Sequence, residues 1–202
     1  MSFKGLGVKT DNNPQARRAK IAIRQNVLDA IGRKAGVFDA FAGSGEMFSA
    51  VWKNAGAYAG CDLKPQTDSR LMFCADNTRV LRAIDLSRFS IFDFDSYGSP
   101  WVQAVILADR RRVAPGERLG LVLTEGAGFA YKSNIVPGAI AVLTGIRTAG
   151  VVGLSKKQDS VIDRAIAGLA RRMNCNVEKR WQAEGRTGAA MRYIGLVLRG
   201  KG

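Results

Sequence analysis

An apolar run that ends in a glycine-rich turn constrains this chain more than any other feature. Residues 37–45 read Val-Phe-Asp-Ala-Phe-Ala-Gly-Ser-Gly, and such a run predicts a buried strand that leads into a tight loop. Asp62 follows Gly43 by nineteen residues, at the end of the next apolar segment. The loop offers backbone N–H groups to a ligand, and a carboxylate at the position of Asp62 accepts hydrogen bonds from both hydroxyls of a ribose. The glycine loop and Asp62 together therefore indicate a cofactor that contains a nucleoside.

The same loop does not fit two common phosphate-binding loops. The dinucleotide fingerprint needs a small residue three positions after its second glycine, where this chain has Phe48. A P-loop needs Gly-Lys-Ser/Thr, whereas Gly45 is followed by Glu46 and Met47. An acidic residue at a helix N-terminus also disfavours a pyrophosphate, because like charges repel each other. A cofactor without phosphate is thus favoured.

The glycine loop resembles that of the class I S-adenosylmethionine-dependent methyltransferases. Four positions carry this resemblance, which extends over residues 36–125: Asp39, Phe41, Gly43 and Gly45. The resemblance implies that the loop lies under the methionine and ribose part of S-adenosylmethionine, and that Asp62 holds the ribose hydroxyls. It also implies that Asp76, which is followed by Asn77, lies near the adenine amine. The alternative is an unrelated ligand on the same strand, turn and helix.

Residues 93–100 form a second unusual run, Asp-Phe-Asp-Ser-Tyr-Gly-Ser-Pro, at the end of another predicted strand. The run is similar to the Asp/Asn-Pro-Pro-Tyr/Phe pattern of nucleic-acid amino-methyltransferases. It is also similar to the Asp-x-Asp-Pro-Phe-Gly-Ser-Pro run of the tRNA guanine-N2 dimethyltransferases. Two departures are visible: Ser96 replaces a proline, which loosens the loop, and the chain lacks room for that family's extra RNA-binding domain.

This resemblance assigns a role to each residue of the run. Asp95 accepts a hydrogen bond from the target amine and is a candidate proton sink, and the carbonyl of Ser96 is the second acceptor. Tyr97 stacks on the extruded base, and Gly98 lets the chain turn beside a flat ligand. Asp93 lies on the same strand face and supports Asp95 or, alternatively, caps a nearby turn.

Alignment is the main requirement of such a reaction. The lone pair of an exocyclic amine is conjugated into the ring, and positioning alone supplies ~7–11 kcal/mol of a barrier. Methylation at C5 of a pyrimidine would need a cysteine nucleophile after the strand, and no cysteine lies between Cys74 and Cys175. Direct attack by guanine N2, adenine N6 or cytosine N4 is therefore favoured.

Charge predicts the partner. The 31 basic and 17 acidic residues give a net charge of +14, which favours nucleic acid because bound phosphates release counterions. The resemblance to the tRNA guanine-N2 dimethyltransferases favours RNA, possibly tRNA, over DNA. Arg17 and Arg24 lie on one face of a predicted helix that begins at Pro14, and they are candidate phosphate contacts. A solvated helix face is the alternative.

Composition excludes several other chemistries. The chain has no histidine, which removes histidine-dependent nucleophiles and the usual zinc ligands. Its three cysteines have no Cys-x-x-Cys spacing, so buried thiols in a reducing compartment and no metal site are predicted. No apolar run reaches the ~20 residues of a membrane span, and the N-terminus has no apolar signal segment. We expect a cytoplasmic protein without a membrane partner.

Strands and helices alternate through residue 125, which predicts an α/β fold. The resemblance implies a Rossmann-like class I methyltransferase fold: a mostly parallel central sheet, helices on both faces and a C-terminal antiparallel strand. Residues 1–202 are interpreted as one domain, with an N-terminal helical extension (1–35), a cofactor-binding half (36–125) and a substrate-side half (126–202). The prediction is methyl transfer to a base amine. The alternatives are a protein or small-molecule substrate, or a nucleic-acid-binding module with a vestigial pocket.

Overall fold

The computed structural model describes residues 14–146, 152–185 and 190–202. Within these residues seven strands form one sheet: β1 (Gly36–Asp39), β2 (Ala57–Asp62), β3 (Met72–Cys74), β4 (Ile91–Phe94), β5 (Arg118–Glu125), β6 (Cys175–Glu184) and β7 (Arg192–Gly200). The α-helices of this part of the chain are α1 (Pro14–Ile31), α2 (Glu46–Ala50), α3 (Asn77–Ala83), α4 (Trp101–Arg110), α5 (Gly128–Lys132), α6 (Gly138–Thr144) and α7 (Gln158–Arg172). Short 3₁₀ turns lie at Trp52–Asn54, Leu86–Arg88 and Leu154–Lys157.

The strands follow the order β3-β2-β1-β4-β5-β7-β6 across the sheet. The first five strands pair in parallel, whereas β7 runs antiparallel to both β5 and β6. This topology confirms the predicted mostly parallel sheet with a C-terminal antiparallel strand. The register between β1 and β4 sets Asp39 directly beside Asp93, so the ends of these two strands meet at one point of the sheet edge.

Helices cover both faces of the sheet. Alternate residues of the central strands, such as Phe38 and Phe92, pack with α3, α4, α6 and α7 on one face. Their neighbours Val37 and Ile91 pack with α1 on the other face. Because β1 and β4 are buried along their whole length, their sequences are apolar almost throughout, as expected for inner parallel strands.

Helix α1 has the predicted bounds, and it packs as a layer of the sheet rather than as an appendage. Val27 of this helix lies over glycines on two strands. A Cβ atom on Gly120 would lie 2.6 Å from Cγ1 of Val27, and one on Gly195 would lie 2.9 Å from its Cγ2. Because glycine has no side chain, the helix can approach the sheet closely at Gly120 and Gly195. Its side chains can therefore reach the strand ends at the cleft.

The structure corrects one expectation about the cysteines: Cys74 is exposed, although Cys61 and Cys175 are buried as predicted. A 3₁₀ turn at Leu154–Lys157 precedes α7, the long C-terminal helix. The short helices α5 and α6 lie between β5 and this turn. None of the helices in the described part of the chain combines the length and the apolar character of a membrane span.

Candidate functional site

A cleft of about 800 Å³ opens at the carboxyl ends of the parallel strands. The structure gathers most of the predicted site residues along its walls: Arg24, Asp39, Phe41, Gly43, Asp62, Asp76, Asn77, Asp95, Ser96 and Tyr97. Ligands of open α/β sheets bind in this position, where loops leave the strand ends. Gly45, Gly98 and Arg17 are not among the residues that line the cleft.

The glycine loop is tied to the end of β2. The N–H of Gly43 donates to Oδ2 of Asp62 at 3.0 Å, and the N–H of Lys64 donates to Oδ1 at 2.8 Å. Each carboxylate oxygen of Asp62 can accept a further hydrogen bond. Gly43 and Gly45 both have positive φ, at 44° and 83°, which explains why the turn uses glycine at these positions.

Arg70 supports the glycine loop from behind, and no sequence pattern predicts it. Its Nη1 donates to the carbonyl of Ala42 at 3.1 Å and its Nη2 to that of Gly43 at 2.8 Å, while Asp68 pairs with the same guanidinium. A Cβ atom on Gly45 would lie 2.8 Å from Cζ of Arg70. Arg70 lies in a polar loop, so only the folded chain shows that its side chain is buried.

Asp76 and Asn77 line the cleft and also hold its wall. Asp76 is the N-cap of α3, and its Oδ1 accepts bonds from the N–H groups of Thr78 and Arg79. Asn77 donates from Nδ2 to the carbonyl of Ala40 at 2.9 Å, and its Oδ1 accepts from Gln103 at 2.9 Å. The amide of Asn77 thus fixes the end of β1, which gives it a structural role at the predicted cofactor site.

A buried ion network underlies the second run. Arg24 donates from Nε to Oδ2 of Asp93 at 2.6 Å and from Nη2 to Oδ1 at 2.9 Å. Trp52 donates from Nε1 to Oδ2 of Asp93 at 2.8 Å. The Nη2 atom of Arg24 also lies 3.1 Å from Oδ2 of Asp95. One guanidinium therefore bridges both aspartates of the run, and Asp93 anchors Arg24 instead of capping a turn.

The prediction that Arg24 contacts phosphate is wrong. Its side chain is 0% exposed, and its donors are directed at Asp93, Asp95 and the carbonyl of Lys20. Burial opposes the charge, but the two carboxylates outweigh it and raise the pKa of Arg24. Arg17 is exposed and forms an ion pair with Glu46 at 2.5 Å, so its contact with phosphate stays a prediction.

The carboxyl groups of the cleft differ in protonation. Burial tends to raise the pKa of Asp95, but Arg24 and Lys20 reverse this and lower the pKa below its ordinary value. Lys20 lies 3.0 Å from Oδ2 of Asp95. Burial, together with the charge of Asp93, raises the pKa of Asp39 to about 8. Asp95 is therefore favoured as a carboxylate, whereas burial favours the neutral form of Asp39.

The loop after β4 is fastened to the end of β5. The hydroxyl of Ser96 donates to the carbonyl of Thr124 at 3.2 Å, and the N–H of Gly126 donates to the carbonyl of Gly98 at 2.5 Å. Tyr97 stands between these anchors and is 83% exposed. Ser96 was expected to loosen the loop because it replaces a proline. Its hydroxyl instead ties the loop to the sheet.

Glu125 is a buried carboxyl group that the sequence analysis missed. It accepts hydrogen bonds from Nε1 of Trp101, from the N–H of Ala127 at 2.7 Å and from the hydroxyl of Ser99 at 3.5 Å. Burial raises the pKa of Glu125 to about 7. The nearby hydroxyl of Tyr131 is buried without a hydrogen-bond partner among the described residues. The acidic residue at the end of this apolar segment is the sequence signal that could have indicated a buried carboxyl group.

No family model and no curated protein sequence matches this chain. Several solved structures do match this chain. The N-methyltransferase NodS from Bradyrhizobium japonicum, in complex with S-adenosylhomocysteine, is 11% identical with a TM-score of 0.54, covering 94% of this chain and 89% of that chain. Trm1 from Pyrococcus horikoshii, in complex with S-adenosylmethionine, is 14% identical with a TM-score of 0.59, covering 97% and 59%.

A tRNA methyltransferase from M. jannaschii is 13% identical with a TM-score of 0.52, covering 90% of this chain and 49% of that chain. All three likenesses extend over most of the described sheet and its helices. This chain has the Rossmann-like fold of class I methyltransferases. At these sequence identities the similarity shows the fold alone, and the chemistry of the cleft depends on its own residues.

Proposed function

We propose that this chain is an S-adenosylmethionine-dependent methyltransferase that acts on an exocyclic amine of a base in nucleic acid, with RNA favoured over DNA. One observation carries the proposal: the glycine loop, Asp62 and the loop that bears Asp95 and Tyr97 face a single cleft of about 800 Å³. That volume is within the usual range of small-molecule sites, about 300–1,000 Å³. A cofactor and a base would thus meet between two sets of residues.

The residues on the β1 and β2 side fit the cofactor. Among the described residues, each carboxylate oxygen of Asp62 accepts one backbone N–H, at 3.0 and 2.8 Å, so the ribose hydroxyls find acceptors there. Glu46 opens the five-residue helix after the glycine loop, which disfavours a ligand with phosphates. When bound, S-adenosylmethionine supplies an electrophilic methyl group. The chain itself has to bind, orient and desolvate the acceptor.

The residues on the β4 side fit an amine. Asp95 is held by Arg24 at 3.1 Å and by Lys20 at 3.0 Å, and both ion pairs end on Oδ2. A carboxylate with a lowered pKa stays ionised, so its oxygens remain available to accept a hydrogen bond from an amine, but it is a weak base. The arrangement therefore favours Asp95 as the acceptor that orients the amine over its role as a proton sink. Tyr97, exposed at the cleft mouth, offers a ring for stacking on a base.

Nucleic acid is proposed as the substrate on two grounds. The net charge of +14 favours a polyanion, and one neighbour in fold is a tRNA methyltransferase. The N-methyltransferase neighbour agrees with nitrogen as the acceptor. The motif at 93–100 and the direct attack that it implies complete the case for a base amine.

Methyl transfer from labelled S-adenosylmethionine to total RNA and to genomic DNA tests this function, followed by mass analysis of the nucleosides. We expect a methylated guanine, adenine or cytosine amine in RNA. Asp95→Ala should lower the transfer rate while leaving cofactor affinity, measured by calorimetry, nearly unchanged. Arg79→Gln, on an exposed helix position, is the control. Transfer only to protein or small molecules, or normal transfer by Asp95→Ala, would contradict the proposal.

A further inference from the structure

The edge of the sheet opposite the cleft carries one exposed cation at each of six consecutive strands. We call these residues the basic edge: Lys53, Lys34, Arg88, Arg112, Lys201 and Arg171. They follow the strand order β2-β1-β4-β5-β7-β6. Five of them precede the first residue of a strand, and Lys201 follows the last residue of β7, whose antiparallel direction brings its end to the same edge.

Backbone contacts show that the segments bearing these cations are neighbours. A Cβ atom on Gly56, just before β2, would lie 2.7 Å from the carbonyl oxygen of Lys34, and one on Gly36 would lie 2.6 Å from that of Arg88. The N–H of Lys201 donates to the carbonyl of Asn174 at 3.0 Å. Adjacent strands are about 4.8 Å apart, so the five gaps between these six strands span about 24 Å.

The cations of the basic edge lie outside the ion pairs of the described residues. Glu117 and Glu178, near this edge, pair with Arg111 and Arg118, whereas Asp85 interacts electrostatically with Arg88 without forming an ion pair. None of the six residues of the basic edge forms an ion pair within the described ranges. Several positive charges without an ion-pair partner among the described residues therefore lie along this edge.

The cleft side differs. Lys20 and Arg24, the two cations of α1 that line the cleft, are both in ion pairs with Asp95. Lys64 also lines the cleft, and its wall carries several carboxyl groups. Among the described residues, more of the unpaired positive charge therefore lies at the opposite end of the strands than in the cleft.

We propose that the basic edge is a nucleic-acid-binding surface that holds phosphates at the end of the sheet opposite the cleft. Binding there does not require methyl transfer, so this inference stands apart from the proposed function. Double-stranded nucleic acid presents about one charge per 1.7 Å of its axis, so an edge of about 24 Å faces several phosphates at once.

Nucleic acid fits this surface better than a membrane does. Helices that lie on a bilayer combine cations with apolar side chains that enter it. Large apolar side chains exposed elsewhere on the chain include Leu63, Tyr97 and Val142. The residues of the basic edge are flanked by buried apolar residues such as Ala35 and Val113. Val177, near the start of β6, is only 38% exposed, so the described part of this edge offers little apolar surface for a bilayer.

Fluorescence anisotropy with a labelled hairpin RNA, without cofactor and over a series of salt concentrations, tests the proposal. The variant carries four substitutions: Lys34→Gln, Arg88→Gln, Arg112→Gln and Lys201→Gln. The matched control loses the same charge at exposed positions elsewhere: Arg79→Gln, Lys156→Gln, Lys157→Gln and Arg164→Gln. Circular dichroism confirms that both variants stay folded.

We expect the basic-edge variant to bind the RNA about tenfold to a hundredfold more weakly near physiological salt. The slope of log K against log salt should fall by about three, since each phosphate contact contributes roughly 0.7–0.9. The control should lose much less. Equal losses in both variants, or no loss in either, would overturn the proposal. So would wild-type binding to anionic vesicles that contain phosphatidylserine but not to RNA.

The same samples separate this inference from the proposed function. Calorimetric titration with S-adenosylmethionine reports the cleft, and the basic-edge variant should bind it as the wild type does. If cofactor binding fails in every sample while RNA binding depends on the edge, the methyltransferase proposal is wrong and the surface stands. If the cofactor binds and the basic-edge substitutions do not weaken RNA binding, the surface proposal is wrong and the methyltransferase proposal stands.

Discussion

Replacing Glu125 with glutamine gives a direct test of the electrostatics beneath the β4 loop. Burial raises the pKa of Glu125 from 4.5 to about 7, and each unit corresponds to about 1.36 kcal/mol. The folded state binds this proton more tightly than the unfolded state does. Stability from this group is therefore fully present below about pH 4.5 and is lost as pH rises through about 7, by about 3 kcal/mol in all.

Urea unfolding of both proteins at about pH 5 and about pH 8 measures this effect. The other titrating groups are common to both proteins, so they cancel when the two free energies of unfolding are subtracted. The stability of the wild type relative to Glu125→Gln should fall by about 2–3 kcal/mol between these two values. If the two proteins keep the same difference at both pH values, Glu125 does not titrate in this range and the reasoning is refuted.

The indole of Trp101 provides a local readout of the same event, because its N–H donates to the Glu125 carboxylate. Its fluorescence should titrate with a midpoint near pH 7 in the wild type. That transition should be absent in Glu125→Gln. A transition that persists in the variant would have to come from another group.

Four further substitutions probe the cofactor site, two ion pairs of α1 and the glycine loop. Asp62→Ala removes charge-assisted acceptors worth about 1.5–3 kcal/mol, so calorimetry should show cofactor binding weakened about tenfold to a hundredfold; unchanged affinity would remove Asp62 from the cofactor site. Arg24→Met leaves Asp93 without its buried partner and should lower the free energy of unfolding by about 3–5 kcal/mol. Arg17→Met should lower it by at most about 1 kcal/mol, and similar losses in these two variants would contradict the burial argument. Gly45→Ala meets a positive φ of 83° and the Arg70 guanidinium, and should lower stability by about 1–2 kcal/mol; thermal unfolding at the wild-type temperature would contradict this.

Local signals explain why most elements were predictable from sequence. The bounds of α1 follow from Pro14 in its first turn and Gly32 directly after its last residue. The apolar run Leu119–Leu123 forms the centre of β5 (Arg118–Glu125). The carboxylates expected at strand ends lie there because connections in a parallel sheet leave every strand at the same edge.

Side-chain pairing is what the sequence could not predict. Arg24 and Asp93 are 69 residues apart, and on a helical wheel Arg24 belongs to a basic stripe that looks solvated. Its burial depends on the close approach of α1 to glycines of the sheet, which is a tertiary property. Arg70 is similar, because a polar loop hides the fact that its guanidinium binds two carbonyls of the glycine loop.

Charge placement follows from the direction of the helices, and this accounts for only part of the basic edge. Helices of an α/β fold run opposite to the strands, so their C-termini lie at the edge away from the cleft, where cations interact well with the helix dipole. Arg171, in the last turn of α7, is explained in this way. Arg112, directly after the C-cap of α4, is explained in the same way. Lys34, in contrast, lies three residues beyond the last residue of α1, and Lys201 follows a strand. The helix dipoles explain neither of these two cations, and they are therefore the strongest grounds for an external polyanion.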